Sequence, residues 1–110
     1  MGSKMKDATN QILGDLKIRL TDLYQDRLDR ICLFGSRARG TADADSDIDV
    51  LVVLTGIVDP NRERVRSLDI VSELSLDHDV VISCLFADSK TYATQQGPLY
   101  RTIRREGVTL

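Results

Sequence analysis

The run Leu33-Phe34-Gly35-Ser36-Arg37-Ala38-Arg39-Gly40, followed by Ser46-Asp47-Ile48-Asp49-Val50-Leu51, decides how this chain is read. Ile31 to Phe34 is a short apolar run, long enough for a buried strand, and it stops abruptly at Gly35-Ser36. Ile48 to Leu54 is the strongest strand signal in the chain, β-branched and nearly all apolar. The stretch between them, Ser36 to Ser46, is rich in Gly, Ala, Asp and Arg and reads as a loop with room for one helical turn. On a strand, residues two apart share a face, with α-carbons roughly 6.6 Å apart. Asp47 and Asp49 therefore point one way, and Ile48 and Val50 point the other, towards a core.

A lone Asp-x-Asp at a strand edge is a weak signal, because acidic residues decorate many strand ends. Asp79 strengthens it, since it opens the other strong apolar segment, Asp79 to Phe86. Adjacent strands lie about 4.8 Å apart, so Asp79 joins the pair if the two strands are neighbours. Carboxylates about 5 Å apart at an effective dielectric near 20 repel by about 3 kcal/mol per pair. Such a site binds cations, protonates or stays very wet. Two divalent ions about 3.5–4 Å apart are a standard solution for phosphoryl chemistry, and oxygen-only ligands suit Mg²⁺.

Gly35-Ser36 adds an anion-binding element. Glycine directly after a strand lets backbone N–H groups approach an anion, and serine adds a hydroxyl donor. The Lys-Ser/Thr of a Walker A loop is absent, which excludes a P-loop NTPase. Arg37 and Arg39 supply positive charge beside the loop. Three carboxylates and two Mg²⁺ sum to about +1 while a nucleoside triphosphate brings about −4, so further cations are required. An arginine can bind phosphate oxygens in a fork.

Outward from this centre the pattern is regular. Ile12, Leu16, Leu20 and Leu23, widened by Leu13 and Tyr24, mark an amphipathic helix. Gly56 and Asp59-Pro60 mark a turn, after which Val65, Leu68, Val71 and Leu74 recur every three residues and predict a helix from Asn61 to about Leu76. A polar connection, Ala87 to Gln96, follows the third strand. Pro98 suits a helix start, with Leu99 and Ile103 facing inward, and Gly107 suits its end. Val108 to Leu110 is a candidate final strand. The order helix, strand, loop, strand, helix, strand, helix predicts a small α/β or α+β domain.

Composition bounds the rest. The chain has 110 residues, 15 Lys+Arg against 17 Asp+Glu, and a net charge of −2, which fits one domain and one core. Its 42% hydrophobic and 29% charged residues exclude a disordered tail, and no apolar run is long enough to span a bilayer. No basic segment leads into an apolar stretch, so the expected location is cytoplasmic. Met1-Gly2-Ser3 reads as an expression leader (residues 1–4) ahead of a start at Met5. Mild acidity argues against direct nucleic-acid binding over a broad surface. Cys32 and Cys84 lie in apolar surroundings without zinc-site spacing, and reduced, buried thiols are the expected state; a disulfide between them stays open.

Taken together, these residues resemble a known family. Gly35-Ser36, ten intervening residues, then Asp47-Ile48-Asp49 match the Gly-Ser-x10-Asp-x-Asp signature of the minimal nucleotidyltransferases (MNT) of the DNA polymerase β-like superfamily. The surrounding Phe-Gly-Ser-Arg-Ala-Arg-Gly and Asp-Ile-Asp-Val-Leu-Val runs resemble it too, as does the ending from Pro98-Leu99-Tyr100-Arg101 to Gly107-Val108. The resemblance implies one nucleotidyltransferase domain over 1–110, with a short mixed sheet and helices packed on one side. It implies transfer of AMP from ATP with two Mg²⁺ ions. Asp47, Asp49 and Asp79 would serve as catalytic metal ligands, with Asp79 also orienting or deprotonating the attacking hydroxyl. Gly35, Ser36, Arg37 and Arg39 would hold the nucleotide's phosphates.

Stand-alone members of this family are commonly antitoxins that attach AMP to a tyrosine of a HEPN-domain ribonuclease toxin. That role is the leading expectation, with a HEPN toxin as partner. Two alternatives stand beside it: an antitoxin that neutralises by binding alone, and an enzyme for a small acceptor such as an aminoglycoside. The chain has little room for the extra recognition elements of the latter.

Several residues draw plainer readings. Asp43 and Asp45 read as a solvated acidic loop. Asp77 competes with Asp79 for the third carboxylate, and His78 between them turns away if Asp79 faces the site. Arg62, Arg64 and Arg66 lie about 200° apart in turn on a helix and form no single face. Arg101, Arg104 and Arg105 suit either a partner or solvent, and Tyr92 and Tyr100 suit either adenine stacking or helix packing.

Overall fold

The structure is a computed structural model that describes residues 2–43 and 45–110; Met1, in the expected leader, lies outside the described residues. The chain runs α1 (Gly2–Tyr24), a single 3₁₀ turn, β1 (Leu28–Phe34), α2 (Ser36–Arg39), β2 (Ile48–Leu54), α3 (Pro60–Arg66), α4 (Leu68–His78), β3 (Ile82–Asp88), α5 (Ser89–Thr94), α6 (Pro98–Glu106) and β4 (Val108–Thr109). The four strands form a mixed sheet in the order β3-β2-β1-β4. β1 is antiparallel to β2 and β4, whereas β2 and β3 are parallel and joined through α3 and α4. This is the small α/β fold that the residue pattern predicts, with the mixed sheet that the resemblance implies.

Side-chain alternation divides the sheet into two faces. Ile31 and Leu33, Ile48 to Leu54 at even positions, and Ile82 and Phe86 pack with Ile12, Leu13, Leu16, Leu20 and Tyr24 of α1 and Leu74 of α4. This is the main core. The opposite face holds a smaller cluster, Cys32, Leu51, Val53 and Ala87, closed by Ile103 of α6 with Tyr92 and Tyr100 at its margin. Helices thus form a full layer on one face, and α5 and α6 seat on part of the other, which corrects the expected one-sided packing: Ile103 buries against Cys32, Leu51 and Val53. The uncovered remainder of that second face carries the site. Cys32 and Cys84 belong to opposite faces and both are free thiols, so no disulfide joins them.

Four expectations need correction. The helix predicted over 61–76 is two helices that meet at Ser67, and Asp59 caps the first by accepting from the Asn61 and Arg62 N–H groups. Its inward line is Glu63, Ser67, Val71 and Leu74; Val65 is 71% exposed and Leu68 also faces solvent. The three-residue spacing misled because a buried, paired glutamate takes the place of an aliphatic residue. The connection over 87–96 contains the end of β3 and a helix, started by Asp88, whose carboxylate accepts from the Thr91 N–H at 2.8 Å. Further, β3 begins at Ile82 rather than Asp79, a shift with consequences for the site. Finally, in α6, Ile103 is buried as expected, but Leu99, expected to face inward with it, is exposed and Tyr100 takes the second inward position.

Candidate nucleotide and metal site

The site grows from the end of β1. Phe34 pairs with Asp49 in the antiparallel register, and Gly35 then takes φ +77° and ψ −160°, a conformation essentially limited to glycine. A Cβ placed on Gly35 would stand 2.6 Å from Oδ2 of Asp49. The bare backbone of Gly35 therefore lies against the Asp49 carboxylate. Ser36 follows at the start of α2, whose single turn closes through Ala38 and Arg39 N–H donation to the Gly35 carbonyl.

Asp47 and Asp49 flank buried Ile48 at the opening of β2. Ile48 and Val50 point into the main core, so both carboxylates turn to the open face, as alternation requires. Desolvation, and secondarily the Asp47 charge, raises the Asp49 carboxyl above its ordinary value. Two acids on one face, one of them partly desolvated beneath a glycine, are an oxygen donor set for a hard cation such as Mg²⁺.

Asp79 does not join them. It caps the C-terminus of α4 in the left-handed conformation, φ +50° and ψ +52°, and its carboxylate is exposed. Asp77 sits in the last turn of α4 and is exposed as well. Among the described residues, no group of three or more His, Cys, Asp or Glu side chains comes together as a metal site. The expected three-carboxylate cluster is therefore corrected to a pair. The parallel register shows what stands there instead: Asp49 lies beside Ser83, and the Ile48 N–H donates to the Val81 carbonyl at 2.8 Å. Sequence reading missed both neighbours, because they become visible only once β2 and β3 are set in register.

The arginines divide. Arg37 donates from Nε and Nη2 to the Ser46 carbonyl, at 3.1 and 2.6 Å, and from Nη1 to Thr9 Oγ1 at 2.8 Å. Its fork is occupied in fastening the residue before Asp47 to α2 and α1. Arg39 is half-exposed and reaches Glu106 of α6 at 3.7 Å, a loose surface pair that leaves it open to another anion. Asp43 shapes the loop, accepting at Oδ1 from the Asp45 N–H and the Ser46 hydroxyl. That is the loop role expected of it.

Other candidates fall to packing. His78 faces Asp15 of α1 at 3.6 Å, away from the acidic pair. The Arg30 guanidinium lies 4.9 Å from the centre of the Tyr92 ring, and Arg104 donates to the Tyr92 and Gln95 carbonyls. Tyr92 and Tyr100 thus help to seat α5 and α6. Arg66 pairs with Glu63, while Arg62 and Arg64 are solvated.

Comparison with known proteins places this geometry. Residues 13–94 match the nucleotidyltransferase domain family. The chain is 38% identical over 74 residues to the predicted protein adenylyltransferase MJ0141 of Methanocaldococcus jannaschii, covering 66% of this chain and 73% of the relative. It is 33% identical over 92 residues to a second such protein of that organism, MJ0604, covering 83% and 86%. In fold it is similar to a toxin–antitoxin assembly crystallised with AMP-PNP, with TM-score 0.60 and 21% identity over 86% of this chain and 68% of the other. It is similar also to a predicted nucleotidyltransferase from Sulfolobus solfataricus, with TM-score 0.54 and 22% identity over 98% and 80%. No described helix is long and apolar enough to cross a membrane.

Proposed function

This chain belongs to the nucleotidyltransferase domain family, and from that membership we propose that it transfers AMP from ATP to a tyrosine hydroxyl of a protein partner, a HEPN-type ribonuclease toxin. The observation that carries this reading is the Asp47–Asp49 pair on the open sheet face, with Asp49 against the bare backbone of Gly35. The names of its relatives support a protein as acceptor, and the toxin–antitoxin assemblies that share its fold support a toxin as partner.

In this reading the Gly35-Ser36 backbone and the Ser36 hydroxyl cradle phosphate oxygens, and the half-exposed Arg39 adds a cation. Asp47 and Asp49 would hold Mg²⁺, which when bound offsets the charge of the triphosphate and of the departing pyrophosphate. The acceptor oxygen forms its bond to the α-phosphorus as the bond from that phosphorus to the β-bridging oxygen breaks. Pyrophosphate leaves with the electron pair, and the hydroxyl proton passes to solvent water. The chain's contribution is mainly positioning and preorganised charge.

One observation favours a second reading, neutralisation by binding alone: the third carboxylate is not assembled beside the pair. A single experiment separates the two. The protein is incubated with ATP labelled at the α-phosphate, Mg²⁺ and a lysate of the source organism. Label on one protein, lost with Asp49→Asn, is the expected result. A stable complex without label overturns transfer in favour of binding, and label on small molecules alone overturns the protein acceptor.

A further inference from the structure

We infer that this site takes one divalent ion per chain with its nucleotide, and that Val81 stands where the carboxylate needed for a second ion would be. The inference rests on the nucleotidyltransferase reading above and specifies the metal chemistry within it.

Register and burial locate the position. β2 and β3 are parallel, with Ile48 beside Ile82 and Asp49 beside Ser83. Val80 and Ile82 both pack into the main core with α1 and α4. Strand alternation then turns Val81, between them, to the opposite face, which is the face of Asp47 and Asp49. The Ile48 N–H bond to the Val81 carbonyl sets Val81 directly across from the Asp47 end of β2. Val81 is 59% exposed, an apolar side chain open to solvent beside two acids. Its neighbour on that face, Ser83, brings a hydroxyl but no charge.

The nearest acids in sequence cannot substitute. Asp79 is held two residues short of this position by its left-handed cap, and Asp77 remains on α4. The chain therefore offers two carboxylates to cations. Mg²⁺ is commonly held by one or two carboxylates together with substrate phosphates, which suits a single ion here. A pair of divalent ions about 3.5–4 Å apart needs further anionic ligands between and beside them, and among the described residues none is present. The acceptor hydroxyl must then be activated without a second ion from this chain.

The test counts ions directly. Mn²⁺ is added to the chain with α,β-methylene-ATP, which cannot transfer AMP, and the bound ions are counted and examined by electron paramagnetic resonance. One isolated Mn²⁺ per chain is expected in the native protein. Val81→Asp is expected to raise the count to two and to produce the broadened spectrum of a coupled pair, while Val81→Ser stays at one. A coupled pair in the native protein overturns the inference but upholds the nucleotidyltransferase site. A spectrum that the protein leaves identical to Mn²⁺ and nucleotide alone overturns both. A single ion in a folded Val81→Asp, checked by circular dichroism, overturns the placement of the missing ligand at Val81.

Discussion

Gly35 and Asp49 are in near contact across the β1–β2 pair: a Cβ on Gly35 would lie 2.6 Å from Oδ2 of Asp49. The glycine also holds φ +77° with ψ −160°. One position thus meets two demands, a backbone conformation closed to other residues and room for a carboxylate to face the ligand. Gly35→Ala is expected to lower stability by about 2 kcal/mol through backbone strain. It should also turn the Asp49 carboxylate aside and slow AMP transfer by about 100-fold or more, the scale of a misplaced reacting group. Urea denaturation and a single-turnover transfer assay measure the two effects separately.

Arg37 braces the loop that delivers Asp47. Its three bonds join Ser46 and Thr9, residues 9 and 28 positions away. Arg37→Ala is expected to cost about 2 kcal/mol, the range for bonds made by a charged donor. Arg37→Lys should recover little, because an ammonium cannot reproduce the fork. Amide hydrogen exchange at residues 45–47 should accelerate in both variants; unchanged exchange there would remove the bracing role.

The raised Asp49 carboxyl has a signed consequence for the protein without metal. Its folded state holds the proton more tightly than the unfolded state, because of burial first and Asp47 second. The folded state therefore binds more protons, and stability falls as pH rises from the ordinary value of 3.8 through the raised one. Asp49→Asn should flatten this slope in urea titrations and leave the metal-free protein no less stable than the native form at neutral pH. Added Mg²⁺ and nucleotide should stabilise the native protein by about 2.7 kcal/mol at a hundredfold excess over Kd. Asp49→Asn should lose that gain.

Glu63 is 2% exposed and ties three elements together. Its carboxylate meets Arg27 at 3.0 Å and Arg66 at 3.3 Å, and Tyr24 donates to it at 3.4 Å. Burial first, and then the Glu63 charge, push the Tyr24 hydroxyl up to about 12. Glu63→Ala removes bonds made to a buried carboxylate and leaves the Tyr24 hydroxyl short of a partner, while Arg27 and Arg66, 37% and 43% exposed, turn to solvent; the expected cost is about 2 kcal/mol. For a domain of this size that lowers Tm by roughly 8–14 °C. Calorimetry checks it, and a shift of a degree or two would show the network to be a solvated surface feature.

What was legible in the sequence was whatever local periodicity controls. Alternation at Asp47-Ile48-Asp49 placed both acids on one face, and Gly35 directly after a strand marked a bare backbone able to approach an anion; its positive φ came only with the structure. The helical period found the α1 stripe, except that Tyr24 rather than Leu23 closes it. Along α3 the same reading failed at Glu63, because a polar residue is buried there only by virtue of partners 36 and 39 positions earlier. No local pattern encodes such a pairing.

The sequence by itself therefore determined the acidic pair, the Gly35-Ser36 step after β1 and the family to which the chain belongs. The tertiary structure decided what surrounds them. Whether Asp79 reached the site depended on its left-handed φ and on where the hydrogen-bond ladder of β3 begins. Whether Arg37 faced phosphate or protein depended on Thr9, brought near by the packing of α1. Alternation along a strand is a property of adjacent residues, fixed by their own stereochemistry. Register between strands and the partners of a long side chain arise only when distant segments are packed, and there the choice between Asp79 and Val81 was made.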